Sequence, residues 1–270
     1  MPELPEVETT KNGISPHIIG RTVTKVIVRQ AQLRWQIPEA ITQMQGQQIT
    51  QVQRRAKYLL LEATTGTCLI HLGMSGSLQV VDIDTPVGKH DHVDIVLQHG
   101  KVLRLHDPRR FGAVLWTQSP ITEHKLIKHL GLEPLSDAFT AEYLYQKAKN
   151  RQVSIKVFIM NAQIVVGVGN IYASESLFMA GIHPKRAAGR ISLMRFEKLV
   201  MSIKQVLQQA ITEGGTTLKD FTNADGQSGY FQVKLQVYGK TSQPCPRCNT
   251  PIKQIRLNQR STFYCPCCQR

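Results

Sequence analysis

The chain has 270 residues, 41% of them hydrophobic, with a mean hydropathy of −0.20. No apolar run approaches the ~20 residues needed to span a bilayer, so a membrane-spanning helix is excluded and a sizeable core is within reach. Its 33 Lys and Arg against 19 Asp and Glu give a formal net charge of +14 and a pI near 9.7. The expected partner is therefore a polyanion, nucleic acid ahead of an anionic membrane surface. No basic helix sets Trp, Phe and Leu opposite Lys and Arg, which argues against the membrane. No targeting segment is evident, so the expected compartment is the cytoplasm. Nothing in the pattern calls for an oligomer, and a monomer is expected.

The chain opens on Met1-Pro2-Glu3-Leu4-Pro5-Glu6-Val7-Glu8, an acidic start on a basic protein. Once Met1 is removed, Pro2 presents a secondary amine, and α-amino groups titrate near pKa ~8. Such a group can attack a carbon while a neighbouring carboxylic acid manages protons. With Met1 in place the same nitrogen is an amide without a usable lone pair, so the active species is expected to lack Met1. Residues 5–12 predict a short helix, with Pro5 at its first position and Gly13 as its stop.

From Arg21 to about Thr117 the chain predicts strands. Val23, Val26 and Val28 mark one run, Tyr58-Leu59-Leu60-Leu61 and Cys68-Leu69-Ile70 two others. His92-Val93-Asp94-Ile95-Val96-Leu97 and Val102-Leu103-Arg104-Leu105 flank a turn at Gly100. So many short runs imply a β-sandwich or barrel. Cys68 lies in an apolar run and reads as a buried structural thiol. Gly131-Leu132-Glu133-Pro134 reads as a linker or inter-domain loop, and residues from about 140 to 212 as helices. The clearest helix carries Phe196, Leu199, Val200, Ile203, Val206, Leu207, Ala210 and Ile211 at 3.6-residue spacing and ends at Gly214-Gly215. Boundaries follow at 1–120, 130–225 and 236–270.

The remaining five cysteines fall in the last 26 residues. Cys245-Pro246-Arg247-Cys248 and Cys265-Pro266-Cys267-Cys268 are two knuckles sixteen residues apart, the spacing of one structural zinc site. Cys245, Cys248, Cys265 and Cys268 are the expected ligands and Cys267 is the spare, because a C-x-C knuckle pinches less well. Ile252, Ile255, Leu257 and then Arg260-Ser261-Thr262-Phe263-Tyr264 predict a β-hairpin between the knuckles. From Tyr230 to Arg270 there are seven Lys and Arg and no Asp or Glu, as a phosphate-touching module requires. A purely structural staple is the alternative.

Four further segments carry weak signals singly. Arg55-Ala56-Lys57-Tyr58 places Lys57 where a strand begins, though a lone Lys there is commonly a solvated edge residue. His71-Leu72-Gly73-Met74-Ser75-Gly76 holds a Met that could equally fill the core. Asp107-Pro108-Arg109-Arg110-Phe111-Gly112 sets cations beside an aromatic in a turn. Gly167-Val168-Gly169-Asn170-Ile171-Tyr172-Ala173 is a Gly-rich turn entering a helix, where exposed N–H groups favour a phosphate. A dinucleotide site is excluded there, because no strand–helix–strand unit surrounds it and the third glycine is missing.

Together and in this order, these segments, the Pro2 start and the zinc hairpin closely resemble bacterial formamidopyrimidine-DNA glycosylases along the whole chain. The resemblance implies an α+β protein: an N-terminal β-sandwich, a helical domain with a helix–two-turn–helix, and a C-terminal zinc-finger β-hairpin. It implies that Pro2 attacks C1′ of a damaged nucleotide and expels the base. Glu3 would be the general acid on the sugar ring oxygen, its pKa raised by burial or by Glu6 so that it stays protonated near neutral pH. Lys57 would hold phosphate and assist proton transfer, and Arg260 would contact phosphate beside the lesion. Met74, Arg109 and Phe111 match the family's set that fills the void left by a flipped nucleotide. Asn170, Tyr238 and His90 match DNA-contact positions, and Arg151 does so loosely. Thr216-Thr217-Leu218-Lys219-Asp220-Phe221 resembles the loop over the everted base. The family's substrates imply oxidised purines as targets. Rival readings are an endonuclease VIII-type glycosylase for oxidised pyrimidines and a non-catalytic DNA-binding zinc protein. The latter leaves the Pro2-Glu3 start unexplained.

Overall fold

The structure is a computed structural model that describes residues 2–215 and 234–270. The expected base-covering loop at 216–221 lies outside the described residues. The chain divides into two compact units, Met1–Lys128 with Glu213–Gln232, and His129–Thr212 with Val233–Arg270.

In the first unit, helix α1 (Leu4–Ile18) precedes eight strands: β1 (Val23–Val28), β2 (Ile49–Arg55), β3 (Tyr58–Ala63), β4 (Gly66–His71), β5 (Ser77–Asp82), β6 (Asp91–Leu97), β7 (Lys101–His106) and β8 (Ala113–Thr117). They form two antiparallel four-stranded sheets, ordered β1-β6-β7-β5 and β2-β3-β4-β8. One hydrophobic cluster joins both sheets and α1, with Ile14, Ile18, Val23, Leu59, Leu61 and Cys68 fully buried. This is the β-sandwich expected from the strand runs. Burial pushes the Cys68 thiol up to about 12, consistent with an inert structural role.

Helix α1 outruns its expected stop. It continues across Gly13 and Pro16 because Ile14 and Ile18 are anchored in the core, and it ends before Gly20 at φ +77°. Pro16 removes one backbone donor in the last turn. The Ser15 hydroxyl donates to the Lys11 carbonyl there at 2.6 Å. Strand β2 was obscured by its polarity. Between Ile49 and Gln51 the register shifts, so only Ile49 and Val52 of the strand face the core.

In the second unit, α2 (Ala141–Ala148), α3 (Ile155–Ile159), α4 (Asn170–Met179) and α5 (Leu193–Thr212) are followed by the hairpin β9 (Lys253–Leu257) and β10 (Arg260–Tyr264). Thr140 caps α2 by accepting from the Tyr143 N–H at 3.2 Å. The predicted apolar stripe of α5 is buried from Phe196 to Ala210, and the chain turns at Gly214 with φ +77°. Gly131 is no free linker. Its N–H donates to the Ala162 carbonyl at 2.7 Å, and Leu132 pairs with Val165. A Cβ on Gly131 would lie 2.4 Å from the Ile164 carbonyl oxygen, so glycine is required by this close approach.

A buried ion network ties β6 and β7 to Arg29, the residue after β1. Arg104 grips Asp94 with two bonds, 2.9 and 3.0 Å, and Arg29 adds a third at 2.7 Å. Burial alone would raise the Asp94 carboxyl, but these guanidinium bonds hold it below its ordinary value. Asp94→Ala leaves the buried Arg104 with only the Asp91 carboxylate, 3.7 Å away, and the Thr85 and Pro86 carbonyls, and is expected to cost about 3 kcal/mol in urea unfolding, while Asp94→Leu with Arg104→Met recovers most of it. Equal losses for both variants would contradict this assignment.

Candidate active site and zinc centre

The N-terminus is fixed by its own first turn. The Glu3 N–H donates to Glu6 Oε2 at 2.8 Å, and Pro2, Glu3 and Glu6 are all buried. The bond belongs to a capping box, with Glu3 at the N-cap and Glu6 three residues on. One turn further, Glu8 accepts from Arg54 Nε at 2.6 Å and from Lys11. Burial pushes the Glu8 carboxyl up, but these cations more than offset it and hold it low. Arg54 also donates to the Ala56 carbonyl at 3.0 Å. That bond holds the β2–β3 turn, where Ala56 takes φ +56°, a costly value for a residue with a side chain. Lys57 is the next residue, so α1 and the Lys57 turn share one ionic strut.

Strand register gathers the other candidates of this unit. Arg55 pairs with Tyr58, Tyr58 with His71, and His71 with Ala113. Lys57, the Met74 loop after β4, and the Arg109–Phe111 loop before β8 therefore leave one end of one sheet. In the other sheet Ser77 pairs with His106 and His106 with Asp91. That places the other end of the Met74 loop beside His90. Phe111 is 46% exposed, and the Arg109 guanidinium stands 5.0 Å from its ring centre. An exposed cation–π pair at a loop tip is suited to meeting a base stack.

His71 supports the Met74 loop. Its Nδ1 accepts from the Gly73 N–H at 3.0 Å, so the ring proton sits on Nε2, and its ring lies 5.1 Å from Tyr58. Burial, with the Lys57 and Arg34 charges, pushes its pKa down from 6.5 to about 4.

In the second unit, the Gly-rich turn delivers Asn170 to the start of α4, where backbone donors and the helix dipole favour phosphate. Asn170 Nδ2 donates to the Ser261 carbonyl at 3.0 Å and lies 3.4 Å from the Tyr238 hydroxyl. Arg260 begins β10 after the Asn258-Gln259 turn, both at positive φ, as a two-residue hairpin requires. Asn170, Tyr238 and Arg260 are thus brought together by β10. Arg151 is exposed and shares with Arg260 the wall of a recess of about 530 Å³.

Two residues that hold this cluster were not anticipated. Lys156, 1% exposed, donates to Asn170 Oδ1 at 2.6 Å, Thr262 Oγ1 at 2.8 Å and the Ser261 carbonyl at 3.1 Å. Its signal was a single Lys inside the apolar run Ile155-Lys156-Val157-Phe158-Ile159. Glu175, 4% exposed, accepts from the N–H groups of Gln236, Val237 and Tyr238 at 2.8, 3.0 and 2.8 Å. It fixes the backbone that carries Tyr238.

The ligand atoms of Cys245, Cys248, Cys265 and Cys268 all lie within 4.8 Å of one another, while Cys267 is exposed outside the set. Tetrahedral zinc with ~2.3 Å bonds needs sulfur pairs about 3.8 Å apart. The Cys245–Cys268 and Cys248–Cys265 sulfurs are 3.9 and 3.5 Å apart, so the four thiols fit one structural zinc. Phe178, Val237, Ile252 and Phe263 pack around them. Arg247 stacks 4.5 Å over Phe178 and donates to its carbonyl at 3.2 Å, joining the first knuckle to the end of α4.

Between pH 6.5 and about 4 the unfolded chain binds a proton that folded His71 refuses, so stability falls as pH drops through that window. His71→Asn is expected to flatten the Tm–pH curve in that window; an unchanged slope would contradict the role given to this ring.

Family models match three segments: a formamidopyrimidine-DNA glycosylase N-terminal domain over 1–114, its H2TH domain over 130–222, and a zinc finger found in FPG and IleRS over 242–270. A formamidopyrimidine-DNA glycosylase of Photobacterium profundum is 58% identical over 270 residues, covering 100% of both chains. One from Alcanivorax borkumensis is also 58% identical, again over 100% of both. The fold is similar to a Lactococcus lactis FPG mutant in complex with Fapy-dG containing DNA, with TM-score 0.93, 31% identity and 100% coverage of each chain. It is likewise similar to the MutM (FPG) protein of Thermus thermophilus, with TM-score 0.89, 33% identity and 99% and 98% coverage. From Pro2 to the last knuckle, the chain belongs to the formamidopyrimidine-DNA glycosylase family.

Proposed function

We propose that the chain is a bifunctional DNA glycosylase and abasic-site lyase of base excision repair. Its substrates are 8-oxoguanine and formamidopyrimidines in double-stranded DNA. The buried Pro2-Glu3 pair at the start of α1 carries the reading, because neither a DNA-binding module nor a structural fold needs an amine and an acid fixed there. The three segments 1–120, 130–225 and 236–270 divide the work into chemistry, grip on the backbone, and a zinc-held hairpin. The zinc supplies the fold of that hairpin. The protein acts in the cytoplasm, on the nucleoid, as a monomer.

The Pro2 nitrogen forms a bond to C1′ as the glycosidic bond breaks; the bonding electrons leave with the base, which takes up the proton that the Pro2 nitrogen gives up. Glu3 gives a proton to the ring oxygen as the sugar opens, which leaves an iminium on C1′. A secondary amine makes an iminium that cannot be neutralised by N–H loss, so it persists as an electron sink. Loss of the C2′ proton then expels the 3′ phosphate, and a second elimination expels the 5′ phosphate. Lys57 holds phosphate and assists proton transfer, and Arg260 assists the second elimination. Met74, Arg109 and Phe111 fill the space left by the flipped nucleotide, with Arg109 facing the orphaned cytosine. His90, Asn170, Tyr238 and Arg151 hold the backbone. Similarity to FPG bound to abasic-site DNA and to Fapy-dG DNA supports this partner.

Borohydride should trap the Met1-processed protein covalently on 8-oxoguanine DNA. No adduct would overturn the catalytic reading and leave a DNA-binding zinc protein. Pro2→Gly should trap and cleave more slowly, since a primary amine gives a neutralisable imine. Faster turnover of thymine glycol than of 8-oxoguanine opposite cytosine would favour the endonuclease VIII-type reading. Cys248→Ser should lose zinc and DNA affinity together, and wild-type affinity should fall steeply with salt. Full affinity in a verified zinc-free protein would contradict the role of the finger.

A further inference from the structure

Asp107 is fully buried at the base of the Arg109–Phe111 loop, and none of the roles above uses it. Five contacts converge on it. Its Oδ2 accepts from the Gly112 N–H at 2.7 Å, and its Oδ1 lies 3.4 Å from the Ser75 hydroxyl. Its own N–H donates to the His90 carbonyl at 2.9 Å. Its carbonyl accepts from the Arg110 N–H at 3.1 Å and from His92 Nε2 at 2.9 Å. One residue therefore touches the loops that carry Met74, Arg109, Phe111 and His90.

A second observation points the same way. Gly73 has φ +65°, and a Cβ there would lie 2.4 Å from the Phe111 carbonyl carbon. A Cβ on Gly112 would lie 2.9 Å from both Asp107 Oδ2 and the His71 carbonyl oxygen. The Met74 loop and the Phe111 loop thus meet backbone to backbone, with the Asp107 carboxyl filling the remaining gap. Arg110 sits at φ +56°, a strained value, and its N–H is held by Asp107.

We infer that Asp107 is a positioning residue that locks the Met74 and Arg109–Phe111 loops into one rigid probe, so that lesion recognition depends on it while the chemistry at C1′ does not. The inference rests on the proposed role of those loops in filling a vacated base site. Placing such groups within a fraction of an ångström is what a buried, hydrogen-bonded support provides, and a 1 Å error can cost roughly 100-fold.

The test compares wild type, Asp107→Ala and Asp107→Asn on three substrates. These are undamaged duplex, duplex with a tetrahydrofuran abasic analogue opposite cytosine, and single-stranded DNA with a natural abasic site. Asp107→Ala should lose roughly 10- to 100-fold of the preference for the analogue duplex over undamaged duplex, while cleaving the single strand within about threefold of wild type. Asp107→Asn keeps an acceptor for Gly112 and a polar contact to Ser75, and should restore most of the preference. An unchanged preference in Asp107→Ala would overturn the inference, and so would parallel loss of binding preference and single-strand cleavage in a folded protein. Should Asp107→Ala not fold, Ser75→Ala decides: a selective loss of about fivefold supports the lock, and wild-type preference contradicts it. The binding ratio needs no chemistry. A wild type that discriminates without cleaving therefore refutes the proposed lyase and leaves this test intact.

Discussion

Everything in the proposed reaction depends on one hydrogen bond, from the Glu3 N–H to the Glu6 carboxylate. It closes the first turn of α1 directly after Pro2, so the terminal amine and the first acid have a fixed backbone. The anchors at Val7, Ile14 and Ile18 bury that helix in the core shared by both sheets. The Glu8–Arg54–Ala56 strut then ties the same helix to the turn that carries Lys57. A flexible N-terminus would cost the proposed nucleophile its orientation, and here burial and one ionic strut remove that freedom.

The second unit solves a different problem, holding the residues proposed to contact phosphate on a small hairpin with little core of its own. Zinc substitutes for that core at one end. At the other, Lys156 directs its three donors to Asn170, Ser261 and Thr262, binding α3, α4 and β10 into one cluster. Glu175 does the same for Tyr238 through three backbone N–H groups. A cation and an anion, each buried and each fully engaged, thus shape a surface that other residues present to the ligand.

The zinc ligands and the segments that carry the family resemblance were legible because their patterns are local. Two cysteine knuckles, a Gly-rich helix start and an acidic proline terminus are read within a few positions. The α5 stripe was legible for the same reason. What the sequence hid was non-local. The polar face of β2 concealed a strand that only a register shift explains. Gly13 looked like a helix stop because the anchors Ile14 and Ile18 belong to a core assembled from distant strands. The 131–134 segment reads as a linker because its pairing with Val165 lies more than thirty positions away. Lys156 and Glu175 carry no motif, since their partners lie 14 to 106 and 61 to 63 positions away.

The most direct test of the central claim is to locate the covalent bond. The protein, freed of Met1, would be reduced by borohydride on an 8-oxoguanine duplex, digested, and the DNA-linked peptide sequenced by mass spectrometry. The sugar remnant is expected on the nitrogen of Pro2. A remnant on Lys57, with Pro2 recovered unmodified, would contradict that claim.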